Sequence, residues 1–223
     1  MVDAGILWTL PKQHFIKINV HSFFTNDPLP NGNRSGIGIV FRNDRGSMVH
    51  ILAGSLRIQD RRLNELYAMH YALRRAFFEN YNLLELETDH GGAYWEWKLS
   101  NRDGVRLEHQ YIVRQLNTRK EDENVALDVT LINEESNRLA AYLAEHGARH
   151  WTQMVTIKGP FGRVRELWFE DMGLGPVDPL FQAIHEEDLE DAMNDGGVVN
   201  GENEGINEND MIDFEPVNDN EML

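Results

Sequence analysis

Two hydrophobic periods follow one another in a set order along residues 15–148, and that order constrains the fold of this chain more than any other feature. Residues 15–21 alternate strictly, with Ile16, Ile18 and Val20 on one face and Phe15, Lys17, Asn19 and His21 on the other. This is a strand with one face in a core. A loop rich in Asn, Pro and Gly (26-NDPLPNGNRSG-36) follows. Then 37-IGIVFR-42 and 48-MVHILAG-54 flank 43-NDRG-46 and read as a β-hairpin, because Asn, Asp and Gly supply the turn geometry. Over 61–79 the period becomes helical: Glu65, Met69, Ala72 and Ala76 form one stripe, widened by Leu66 and Leu73. A carboxylate at the head of an apolar stripe is unusual. The run 83-LLELETD-89 alternates again and ends in Asp89. Helices are predicted over 93–99 and 107–118, a strand over 125–132, and a helix over 134–148 with Gly147 as its stop.

Tight turns make the first three strands antiparallel, and helical crossovers make the last two parallel. The expected fold is α/β: a five-stranded mixed sheet flanked by helices. Residues 1–14 form a lead-in, 15–150 the domain, and 151–193 an extension that packs on it, bringing Trp151, Trp168 and Phe169. Residues 194–223 are too rich in Asn, Glu, Asp and Gly to offset ordering entropy and are expected to form a disordered acidic tail.

Charge is placed unevenly. The net charge is −16, yet 14 of the 37 acidic residues lie between Phe181 and Leu223, where there is no Lys or Arg. The remaining 23 face 21 basic residues, so the body is nearly neutral. The tail could solubilise the chain, fold back on a basic surface, or meet a basic partner. The absence of cysteine excludes disulfides, thiolate zinc sites and a cysteine nucleophile. The sequence shows no secretory signal and no apolar run of membrane-spanning length, so an intracellular location, cytoplasmic or nuclear, is expected.

Several motifs occur in a recognisable order: Trp8 and Pro11, 17-KINV-20, 36-GIGIVFRNDRG-46, Ala53-Gly54-Ser55, 64-NELYAMHYAL-73, 86-LETD-89 and 137-NRLAAYLA-144. In content and spacing they resemble the plant reverse-transcriptase-like ribonuclease H domains, over about residues 8–148. The resemblance implies the ribonuclease H type-1 fold and an RNA–DNA hybrid as substrate. It also implies four carboxylates holding two Mg²⁺ ions, from the first strand, the first helix, the fourth strand and the last helix. Such ions are hard, prefer oxygen, and need a bridging carboxylate and enough negative charge to offset their repulsion.

Two positions carry the implied acids, Glu65 and Asp89, and two do not. His21 stands at the first-strand position and Ala141 at the last-helix position. A neutral imidazole offers one lone pair and no charge, and an alanine offers no ligand. The expectation is therefore a degenerate two-metal site, weak or absent Mg²⁺ binding and little or no hydrolysis. An active site rearranged around Asp27, Glu134, Glu135 or Glu145 is the alternative, as is a softer metal at His21. For nucleic-acid contact the candidates are Arg61, Arg62, Lys98, Arg102 and Arg106, against ordinary solvated helix faces. Arg74, Arg75, Arg114, Arg119 and Lys120 extend the same basic segments. Tyr94, Trp95 and Trp97 could stack on bases or belong to the core.

Overall fold

The computed structural model describes residues 8–100 and 105–174. Strands β1 (Ile16–Phe24), β2 (Ser35–Arg42) and β3 (Met48–Leu56) form an antiparallel meander. Helix α1 (Arg61–Phe78) leads to β4 (Leu83–Thr88), which lies parallel to β1. Helices α2 (Gly91–Lys98) and α3 (Gln110–Lys120) lead to β5 (Ala126–Leu131), parallel to β4. Then follow α4 (Arg138–His150), β6 (Val155–Ile157) and α5 (Gly162–Asp171). The sheet order is β5-β4-β1-β2-β3-β6.

The sheet therefore has six strands rather than five. The added strand, β6, pairs antiparallel with β3 through only three residues, too few to show a period of two in sequence. It extends the sheet with residues 151–174, and α5 then packs beside α4 through Val164 and Leu167.

The period-two pattern of β1 sorts its two faces. Ile18 and Val20 join Leu66, Met69, Ala72 and Leu73 of α1 and Ile112 and Leu116 of α3 in the main core. Val40, Ile51 and Ala53 on the opposite face meet Leu139 and Leu143 of α4. Close approach on that second face depends on glycine. A Cβ on Gly38 would lie 2.2 Å from the carbonyl oxygen of Ala140, and one on Gly147 would lie 2.5 Å from the Gly54 nitrogen. Gly147 does not stop the helix as expected: α4 continues through it to His150, and the missing side chain lets the helix touch β3. At its other end α4 begins at Arg138 rather than 134, because Glu134–Ser136 form a separate 3₁₀ turn.

The lead-in covers a polar layer. Arg42 is buried, lies 3.6 Å from the Trp8 ring centroid, donates to Asn19 Oδ1 at 2.7 Å, and pairs with Asp171 Oδ2 at 2.6 Å. Lys17 pairs with Glu87 at 2.7 Å and donates to the Thr9 carbonyl at 2.8 Å. These charges are buried but paired, the condition under which burial is tolerated. Among the described residues no helix is long and apolar enough to cross a membrane. Arg102 and the acidic tail lie outside the described residues.

Candidate functional site

The parallel pairing of β1 with β4 matches Val20 with Thr88, so the next residues, His21 and Asp89, emerge side by side at one end of the sheet. Ligand sites in sheets of this kind collect at the carboxyl ends of parallel strands. Helix α1, started by the Asp60 side chain accepting from the Leu63 amide, sets Glu65 on its buried face. The Thr88 hydroxyl donates to Glu65 Oε1 at 2.6 Å. Glu65 Oε2 is buried with no donor among the described residues.

His21 Nδ1 lies 2.8 and 2.9 Å from the two oxygens of Asp89. Burial lowers the basicity of His21, but the Asp89 hydrogen bond and the Glu65 and Asp89 charges outweigh it, and the imidazole is held above its ordinary value. Burial likewise raises the Asp89 carboxyl, yet His21 and Asn137 hydrogen bonds bring it below the usual range. The pocket thus favours an imidazolium facing a carboxylate, a charge-assisted pair.

The amide of Asn137, at the start of α4, also donates to the Val20 carbonyl at 2.7 Å. Ala141 is one turn further on, where residues four apart share a helix face. The sequence pattern alone assigns Asn137 no role. Its place one turn before Ala141 was the available signal. Among the described residues, no three His, Asp or Glu side chains are placed to hold a metal ion. Of the substitutes, Asp27, Glu134 and Glu135 are exposed, and Glu145 accepts from Arg149 at 2.6 Å.

The basic candidates divide. Arg61 is exposed and close enough for its charge to oppose that of His21. Arg62 pairs with the buried Glu96 at 3.0 Å and Arg106 with Asp60 at 3.1 Å. Glu96 also accepts from the Arg106 amide and contacts His109 Nδ1 at 2.9 Å, so these two arginines tie α2 and α3 to the start of α1. Lys98 is exposed, 5.9 Å from the Tyr94 ring. Trp97 belongs to the core and donates to Asn117, whereas Trp95 is exposed and Tyr94 half-buried.

Against solved structures, this fold is similar to that of the N-terminal RNase H domain of a Mycobacterium tuberculosis protein, at 12% identity and TM-score 0.52, covering 60% of this chain and 93% of that one. It is similar to RNase H1 of Halobacterium salinarum, at 15% identity and TM-score 0.52, covering 60% and 96%. It is also similar to LC11-RNase H1 in complex with RNA/DNA hybrid, at 17% identity and TM-score 0.51, again covering 60% and 96%. These likenesses show a ribonuclease H fold. No curated protein matches the sequence. The sequence model of the family described as reverse transcriptase-like matches residues 30–147, more than half of the chain, including strands β2, β3, β4 and β5 but not β1. The chain belongs to the reverse transcriptase-like family.

Proposed function

We propose that this chain is a ribonuclease H-like nucleic-acid-binding domain whose acid pocket no longer supports two-metal hydrolysis, so that it binds hybrids weakly and cleaves them little or not at all. The observation that carries the reading is the contact of His21 with both oxygens of Asp89. Two Mg²⁺ ions about 4 Å apart need carboxylates free to bridge them. Each ion also needs near-octahedral oxygen ligands at about 2.0–2.1 Å. The residues present do not fit that demand. Asp89 is engaged by His21 and Asn137, Ala141 has no ligand atom, and Glu65 is left without a third acid. When protonated, His21 supplies positive charge at the end of β1 that would otherwise come from a cation. The hybrid is the first ligand to test, because LC11-RNase H1, of the same fold, was solved in complex with one.

A rearranged, active site is the second reading, and one observation favours it. The buried Glu65 Oε2 lacks a donor, and an unsatisfied buried carboxylate oxygen is what a single cation would relieve. Both readings are tested with a hybrid labelled on its RNA strand, in Mg²⁺ and in Mn²⁺, following binding and cleavage together. Binding at low salt without cleavage supports the leading reading. Robust cleavage that disappears in Glu65→Ala establishes the second, and no binding at low salt refutes the nucleic-acid assignment itself.

A further inference from the structure

We propose that the seam between α1 and α3 is the docking face for the chain's own acidic segment, residues 181–223. The two helices pack side by side on the sheet face away from α4 and carry no carboxylate except Glu65, which is buried and faces the pocket. Along the seam lie Arg74 of α1 and Arg119 of α3, whose charges both reach His70. Neither forms an ion pair among the described residues, whereas Arg62 and Arg75 of α1 do. Exposed aromatic rings alternate with these charges: Tyr111 at one end, Phe77 and Phe78 at the other, with the Arg119 guanidinium 4.2 Å from the Phe77 ring centroid. The field of the seam shows in His70, where burial first and then the Arg74 and Arg119 charges push the imidazole down to about 4, with no carboxylate to offset them.

On the face of α4 and α5, Arg138 and Arg163 pair with Glu170, and Arg149 with Glu145. Within α1 and α3 themselves the exposed positions thus include basic and aromatic residues and no carboxylate, and residues 181–223 hold 14 carboxylates and no Lys or Arg. Apolar side chains are interleaved among those acids, as in 211-MIDFE-215, which suits exposed rings between guanidinium groups.

The exit point favours this occupant over an outside partner. The chain leaves the described structure at Leu174, just past α5, where Met172 packs near Gly46 in the β2–β3 turn. That turn marks one end of the sheet, and the C-terminal end of α1 is at the same end, where His50 of β3 meets Tyr81 and Glu79. A covalently attached segment acts at a high effective concentration, about millimolar for short linkers. The inference does not depend on how the acid pocket is read.

The chain has no cysteine, so Asn200→Cys in the full-length protein gives one attachment point for a spin label. The expected result is selective broadening of amide signals from Phe77, Tyr111 and Arg119 at low salt. It is lost near 1 M salt, where the Debye length is about 3 Å. It is also lost in Arg74→Ser/Arg119→Ser and retained in the control Arg165→Ser. Broadening that is absent, or spread evenly over both sheet faces, overturns the proposal. So does a single-stranded oligonucleotide that perturbs the same signals without displacing the label, since the face would then serve nucleic acid and not the segment. Displacement of the label by that oligonucleotide supports a shared face.

Discussion

Replacing Asp89 separates a pocket of converging acids from a pocket built on an ion pair, because the two give opposite signs. Where carboxylates crowd together without their metal, removing one relieves repulsion and stabilises the fold. Here Asp89 meets the His21 nitrogen at 2.8 and 2.9 Å. The side chains are 5% and 16% exposed, so solvent screens the contact little. A hydrogen bond to a charged group contributes about 1.5–3 kcal/mol net. Asp89→Ala is therefore expected to destabilise the protein by about 2 kcal/mol, which lowers Tm by roughly 4–8 °C for a domain of this size.

The pH dependence follows from the two shifts. Asp89 is held below 3.8, so its contribution is present above that value and lost as pH falls through the folded pKa. His21 is held above 6.5, so its contribution is complete below that value and lost as pH rises through the folded pKa. Both are present between 3.8 and 6.5. Urea unfolding followed by tryptophan fluorescence at about pH 5.5 and about pH 9 measures the difference. The variant should show its full deficit at the lower pH and a smaller one at the higher. A neutral or stabilising effect at the lower pH, or a deficit that grows with pH, would refute the ion-pair account.

Asp171→Asn leaves the Arg42 guanidinium buried and unpaired, and is expected to cost about 3–5 kcal/mol in urea unfolding. Wild-type stability in that variant would mean that α5 is not anchored through this pair. Gly38→Ala sets a Cβ against the backbone of α4, 2.2 Å from Ala140 O and 2.6 Å from Ala144 N, where no side-chain rotation relieves it. Overpacking of this kind costs about 1–3 kcal/mol, and an unchanged urea midpoint would contradict the close approach of α4 to β2.

The strands and α1 were legible because each buries one face, and burial imposes a period on the sequence. The stripe Glu65, Met69, Ala72 and Ala76 is buried as its spacing predicts. Features without a period escaped. β6 has three residues, and its pairing with β3 joins positions about 100 residues apart. Gly147 reads as a stop because glycine ends many helices, but here it serves tertiary contact with Gly54, which only the fold brings near. The outer face of β1 carries Lys17 and Asn19, which the alternation sets on the side away from Ile18 and Val20. It is covered by Trp8 and paired with Glu87 and Arg42, partners set by strand order and not by neighbours in sequence.

At the pocket, the positions of Glu65 and Asp89 were visible in sequence as the head of a helical stripe and the end of a strand. The resemblance implied that His21 shares this pocket, but its direct contact with both Asp89 oxygens was not legible, since it depends on the register of β1 and β4. Arg62 and Arg106, candidates for phosphate contact, are paired with Glu96 and Asp60, which the near balance of charge in the body foreshadowed without naming partners.

The central claim is that His21 and Ala141 leave the pocket without the carboxylates that two-metal hydrolysis needs. It is tested most directly by restoring them. Cleavage of an RNA–DNA hybrid in Mg²⁺ is measured for the wild type, for His21→Asp, for Ala141→Asp, and for the two combined. The account predicts turnover only in the combined variant. Equal turnover in the wild type and the combined variant would contradict it.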